Sequence, residues 1–365
     1  MKVIAQSAAL QEALTLAGSI VNSRSPKPVL QCVKMVAEDN KLTLMATDLE
    51  VGCRFELSAV QVEQPGAALI PADKLMGIVR ESNPSENLTL ETEKETTHVK
   101  GTGSHFKLYG FDPAEYPTIT EFPGTGDFQI ASATLSDMIR KTLFATAKAH
   151  SHYAISGVLW EASEMALQLI ATDGHRLAQA KGTLTEACVA DTSAIVPAKL
   201  MSMIQRIANA DDKLEVKIEE NQILVSTPKA TLVSSLVQGN FPRYSDVIPK
   251  DSNRKAELNR NDIQHRVRQA ALLTNEESRG IRLSFTANKA TLSTRGPETG
   301  EAEVECPIIL EGGDIEIGFN PQFLLDALKV ADTEEISIEM SAGNKPAILK
   351  SGDDFLYVLM PVDLG

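Results

Sequence analysis

Asp173, Gly174, His175 and Arg176 are consecutive, and a carboxylate close to an imidazole is the pairing that general acid–base chemistry uses. The cluster follows the alternating run LQLIAT, so it sits on a turn that leaves a strand. A similar run, LTLMATDLE, surrounds Thr47, where Asp48 takes the place of Asp173 with no histidine beside it. A carboxylate present in both copies suits turn-building; the histidine belongs to one copy alone. The cluster therefore reads as part of a binding pocket, with an enzyme built on Asp173 and His175 as the alternative. Other chemistry is sparse. His150 and His152 form a His-x-His pair without a clear third ligand, and Cys32, Cys53, Cys188 and Cys306 make no CxxC. Buried thiols in a reducing compartment are expected, and neither a zinc site nor a disulfide framework. No GxxxxGK[ST] or GxGxxG phosphate loop and no GxSxG nucleophile elbow occurs, so no cofactor is expected.

The elements around this cluster recur. The strand phrase ending at Thr47 returns at Thr172 and, more weakly, at Thr294, 125 and then 122 residues on. Pro71, Pro197 and Pro321 each precede a run with helical apolar spacing, carrying Leu75, Leu200 and Leu324 at intervals of 125 and 124. Proline suits the first turn of a helix, where its missing N–H is not needed. FDPAEYP from Phe111 and LVQGNFP from Leu236 are again 125 apart. Helix-like stretches at Ala8, Ala133 and Asn261 open the three copies. The chain is therefore expected to be three similar α+β domains, residues 1–125, 126–252 and 253–365, split at the polar loops EFPGTGD and IPKDSNRK. Each should pack two helices on antiparallel sheet.

At 365 residues, with 43% hydrophobic and 23% charged residues, the chain has a globular composition. No eighteen-residue apolar run is present, and Gln11 and Glu12 interrupt the N-terminal apolar stretch, so an amphipathic helix and a cytoplasmic location are expected. A net charge of −14 argues against nucleic acid unless the basic residues gather on one surface. The distribution points that way. Acids favour strands and loops, whereas the helices carry Lys74 and Arg80, Arg140 and Lys141, Lys199 and Arg206, and Arg260, Arg266 and Arg268. Such a shared basic helix surface would touch phosphates without reading bases.

The phrases IATDGHRLA, GNFPRYSDVIP, TNEESRGIRL and YVLMPV, in this order on a threefold repeat, resemble the bacterial sliding clamp, the beta subunit of DNA polymerase III. The resemblance covers the whole chain. It implies a head-to-tail homodimer whose six domains close into a ring around double-stranded DNA, held by topology and not by sequence. Twelve lining helices at roughly 9–10 Å spacing would leave on the order of 25 Å clear, enough for a hydrated duplex. The implied activity is non-enzymatic: the ring tethers the polymerase III catalytic subunit, the clamp loader, other polymerases and repair proteins, through their short linear motifs. A three-domain binding scaffold that forms no ring is the other alternative.

Carried over by position, Arg24, Lys74, Tyr153 and Lys199 are the DNA-facing candidates. Asp73 stands where a base is common, and Ala149 and Ala154 replace larger side chains. The implied dimer interface joins Phe106 and Leu108 to Leu272 and Leu273 of a second copy. The implied partner-peptide pocket comprises Ile155, Thr172, Gly174, His175, Arg176, Leu177, Pro242, Val247, Val358, Leu359, Met360, Pro361 and Val362. Aliphatic side chains there would take Leu or Phe anchors. Asp246 in place of a usual arginine, and a tail ending Asp363-Leu364-Gly365, should weaken binding of acidic peptides.

Overall fold

The computed structural model describes residues 1–147, 153–274, 280–296 and 300–363. The His150/His152 pair, Lys148 and Ala149 lie outside these residues, as does most of the TNEESRG phrase. Six helices are described: α1 (Ser7–Gly18), α2 (Ala72–Glu81), α3 (Ser132–Thr142), α4 (Ala198–Ile207), α5 (Arg260–Ala271) and α6 (Pro321–Val330). None of them is long and apolar enough to cross a membrane. Backbone contacts gather the chain into two compact units. One comprises Met1–Ala133, Thr185–Val189 and Lys199–Leu236; the other comprises Thr134–Leu184, Ala190–Ala198 and Val237–Gly365.

Each unit is built on one long antiparallel sheet that runs between neighbouring repeats. In the first unit eight strands pair in the order Phe128–Ala131, Lys213–Ile218, Gln222–Ser226, Ala230–Ser235, Val51–Leu57, Lys41–Thr47, Cys32–Glu38 and Gly66–Pro71. The join lies between Val51–Leu57 and Ala230–Ser235, with Phe55 opposite Ala230 and Val51 opposite Ser234. The second unit has a nine-stranded sheet whose join lies between Arg176–Thr183 and Phe355–Leu359, with Ala180 opposite Phe355 and Arg176 opposite Leu359. Every residue at the second join lies 125 positions after its counterpart at the first. The repeat is therefore expressed in hydrogen-bond register as well as in residue type, and a one-residue slip would turn the buried face outward. Hairpins hold the strands in order; Asp39 and Asn40, both at positive φ, close the one between Cys32–Glu38 and Lys41–Thr47.

Each unit also holds a smaller sheet with a free edge. In the first unit it has five strands and ends on Ser104–Tyr109; in the second it has four and ends on Gly300–Pro307. Helix pairs α1 with α2 and α5 with α6 pack together within the first and second units respectively. Their buried stripes, such as Leu10, Ala13, Leu14 and Ala17 of α1, follow the 3.6-residue period.

Three sequence expectations differ from the fold. The repeats do not open on their helices. Short strands come first, Lys2–Gln6, Phe128–Ala131 and Arg254–Asn259, and they are too brief to stand out beside the helical periodicity. Nor do the prolines all lie inside a first turn. Pro71 caps α2 and Pro197 directly precedes α4, because both still pair in the preceding strand, opposite Cys32 and Gly157; only Pro321 is a first helical residue.

The bases of α3 are not a free surface either. The Lys141 side chain is 3% exposed, and its ammonium meets Asp137 and Asp332 at 2.7 Å and Asp354 at 2.8 Å. Arg140 is paired with Asp137 and, at 2.6 Å, with Asp332, and it donates to the Val330 carbonyl at 2.9 Å. Burial alone would raise the Asp332 pKa, but hydrogen bonds from Lys141 and Arg140 outweigh it and hold the carboxyl below its ordinary value. A depressed carboxylate contributes stability above its unfolded pKa of about 4, and that contribution is lost as pH falls through the folded value. Lys141→Met leaves Asp354 without its cation and Asp137 and Asp332 with Arg140 alone. We expect a loss of about 2 kcal/mol, less than for a fully buried pair, read as a lower urea midpoint at pH 7 and a shallower loss of stability in acid.

Candidate functional site: a slot on the second repeat and two sheet edges

The Asp173 cluster is a tight turn closed by its own side chains. Thr172 Oγ1 donates to the Arg176 carbonyl at 2.7 Å and accepts from the Gly174 N–H at 3.1 Å. Asp173 Oδ1 accepts from the backbone N–H groups of His175 and Arg176 at 3.0 and 3.1 Å. Gly174 takes φ +88°, where a side chain would be strained. The first repeat builds the same turn: Thr47 Oγ1 bonds the Val51 carbonyl and the Leu49 N–H, and Asp48 Oδ1 accepts from Glu50 and Val51. Leu49 occupies the left-handed position there, at φ +80°.

Arg176 turns inward from this loop. Its Nε bonds Asp173 Oδ2 at 3.0 Å, and its terminal nitrogens reach Asp326 Oδ2 at 2.6 Å and the Phe144 carbonyl at 2.8 Å. The guanidinium also stacks 4.4 Å from the Phe323 ring centre. Burial would lower its pKa, but Tyr357, Asp326 and Asp173 outweigh that and keep it charged. Arg176 is thus a bolt that fixes the turn against α6, and it offers less to a ligand than its neighbours do. Both Asp173 oxygens are engaged by this turn, and the His175 ring lies beside Phe323, 6.5 Å between centres.

The predicted pocket residues fall within the second unit. Leu177 and Val358, paired across the join, are buried in an apolar cluster with Leu159, Ile170 and Ile195, onto which Ala154, Phe241 and Tyr244 pack. Thr172 and Leu359 are also buried, and Ile155 is half-buried. Val247 is 41% and Met360 37% exposed, and His175, Gly174 and Pro242 are exposed as well. The Met360 N–H ties the tail to the His175 carbonyl at 3.0 Å, and Tyr244 donates to Glu161 at 2.7 Å. Burial first, then Glu161, push the Tyr244 hydroxyl up to about 12. The tail then diverges. Pro361 and Val362 line a separate cavity of about 490 Å³ with Arg282, Glu316, Gly318, Gly343 and Asn344, and the Val362 N–H bonds the Gly318 carbonyl.

Two of the predicted interface residues lie on an outer strand, and two follow α5, which packs against the outer strand Gly300–Pro307. Phe106, 42% exposed, and half-buried Leu108 are on Ser104–Tyr109. Leu272, 80% exposed, caps α5 and precedes half-buried Leu273. Four predicted residues, Phe106, Val247, Leu272 and Met360, are thus among the large hydrophobics that the fold leaves in water.

Of the DNA-facing candidates, Arg24 is exposed, and Lys74 is exposed beside Asp73 at 3.3 Å. Tyr153 opens the short 3₁₀ turn Tyr153–Ser156. Sequence reasoning missed a restraint on Lys199: its ammonium is paired with Asp48 of the first repeat's turn. Only the fold brings residues so distant in sequence together.

Family models match the chain from end to end. The N-terminal domain of the DNA polymerase III beta subunit matches residues 1–120, its central domain 129–243 and its C-terminal domain 245–363. The chain belongs to the DNA polymerase III beta subunit family. The beta sliding clamp of Pseudomonas aeruginosa is 33% identical over 362 residues, spanning 98% of this chain and 99% of that one. That of Escherichia coli K12 is 29% identical, spanning 94% of each. Among solved structures, the P. aeruginosa DNA polymerase III subunit beta superposes with a TM-score of 0.94 at 32% identity over the full length of both chains. The Bacillus subtilis sliding clamp does so at 0.95 and 26% identity, covering 100% of this chain and 99% of that one. The beta-subunit fold of three tandem α+β domains is therefore the architecture of this chain, with the long sheets linking one domain to the next.

Proposed function

We propose that the chain is a non-enzymatic processivity clamp: two copies close head to tail around duplex DNA, and the slot on the second repeat takes short peptides from polymerases, the clamp loader and repair proteins. Domain limits at 125/126 and 252/253 complete this reading, and the bacterial cytoplasm is its setting. The observation that carries closure is the pair of free edges. The hairpin pairing Thr96 with Tyr109 corresponds to the one pairing Gln222 with Ser235, which puts Phe106 in the place of Leu232. The hairpin pairing Leu292 with Val304 corresponds to the one pairing Leu44 with Phe55, which puts Ala302 in the place of Cys53. Cys53 and Leu232 face each other at the first join. The same join between two chains would set Phe106 opposite Ala302, His105 opposite Glu303 and Lys107 opposite Glu301. Apolar residues meet on one face, Lys107 meets Glu301 on the other, and two exposed edges are removed. A head-to-tail contact closes or runs on into a filament according to its rotation, and the repeated in-chain joins help to supply that rotation. Equilibrium sedimentation tests this: twice the 39.5 kDa chain mass is expected, and a single-chain species at micromolar concentration would contradict it.

Inside the ring, weak phosphate contact suits sliding, and the Asp48–Lys199 pair fits that need. Asp48→Asn keeps the Oδ1 acceptor that caps the turn but removes the charge. We expect several-fold tighter DNA association at low salt, with the salt slope steeper by roughly one counterion per chain. An unchanged slope would take Lys199 off the DNA path.

A further inference from the structure

We propose that the first repeat carries a second copy of the peptide slot, closed by the chain's own segment 116–122, so that each chain offers one slot where the repeat would supply two. The inference rests on the reading of the second repeat's slot as a peptide site.

The frames agree in detail. Both have the Thr-Asp turn with matching hydrogen bonds, and both joins have the same register. In both, an N–H from the segment after the last strand bonds the strand before the helix: Phe111 to Leu69 and Val237 to Ile195. The apolar floors correspond as well. Val29, Met45, Leu69 and Val233 of the first stand where Ala154, Ile170, Ile195 and Val358 of the second do.

They differ in how fully the equivalent segment covers the floor. Gly52 replaces Leu177, and Ile119 fills the vacated space; a Cβ on Gly52 would lie 3.1 Å from its side chain. Ile119 is 6% exposed, and Phe122 packs half-buried against the same cluster. The Tyr116 hydroxyl fastens the segment, accepting from the Thr47 N–H at 2.9 Å. The second repeat has Phe241 there, which carries no hydroxyl; Phe241 and Tyr244 also pack on its floor, but Tyr244 is tied to Glu161, and Val247, the counterpart of Phe122, and Pro242 stay in water. The sequence Tyr-Pro-Thr-Ile-Thr-Glu-Phe thus behaves as a built-in ligand: an aliphatic anchor, with an aromatic one three residues later, laid over an apolar floor. The fitting occupant of the emptied slot is an extended peptide with those two anchors.

The test uses the full-length protein, with the capped heptapeptide of residues 116–122 and a Leu/Phe-anchored pentapeptide as probes in calorimetry. Wild type should bind one pentapeptide per chain and lose it with Val247→Asp; no binding at all would overturn the reading of the second slot without touching the first. In the Val247→Asp background, Ile119→Ala with Phe122→Ala should restore binding of the heptapeptide at one per chain. In the wild-type background the same pair should raise the total from one peptide to two. A folded double variant that gains no site overturns the inference. Should it not fold by circular dichroism, Ile119→Ala alone decides: it should gain the same site at roughly tenfold lower affinity, and a folded single variant with no gain overturns the inference equally.

Discussion

Phe106→Asp should convert the two-chain species into folded single chains. Phe106 stands at the centre of the free edge, and the proposed join would bring it against Ala302 of the second copy. A carboxylate there would be buried without a partner and would stand close to Glu301 and Glu303. A loss of about 3 kcal/mol, ~100-fold in dissociation constant, is expected for a central apolar anchor. The single chain should stay as stable as before, because the side chain is already 42% exposed within it. Sedimentation and urea unfolding read the two effects separately. Leu272→Asp should act in the same way from the other edge. A Phe106→Asp protein that remains paired at micromolar concentration would remove this strand from the interface.

The second large effect is at the slot. Val247→Asp places a charge at an exposed apolar residue of the proposed slot, next to Asp246 in sequence, and should weaken an apolar-anchored peptide ~100-fold. Deleting residues 361–365 removes the Val362 tie to the Gly318 carbonyl that holds the tail next to Met360, and should weaken binding as well. Both variants should leave the dimer intact. Fluorescence anisotropy with a labelled peptide gives the affinity, and an unchanged value would place the peptide elsewhere. His175→Ala distinguishes the enzyme alternative, which requires that variant to abolish a small-molecule activity.

The threefold plan was legible because its signals are local: an alternating strand ending in Thr-Asp, and a proline before helical apolar spacing. The turn at Thr172 was legible for the same reason, since its hydrogen bonds stay within five residues. What the sequence hid depends on segments distant in the chain. The strand Val51–Leu57 gives no sign that it pairs with Ala230–Ser235. Arg140 and Lys141 look like exposed helix bases until Asp332 and Asp354 arrive from the third repeat. Lys199 looks like a free cation until the turn at Asp48 meets it. Pro361 and Val362 follow Met360 directly, yet they line a different cavity because the tail crosses to Gly318.

Encirclement is tested most directly by retention on nicked circular DNA, measured at raised salt before and after the circle is linearised. A ring linked to DNA by topology should remain on the circle and escape from the free ends. Equal loss from both forms would show that phosphate contact alone holds the protein, and would contradict the clamp.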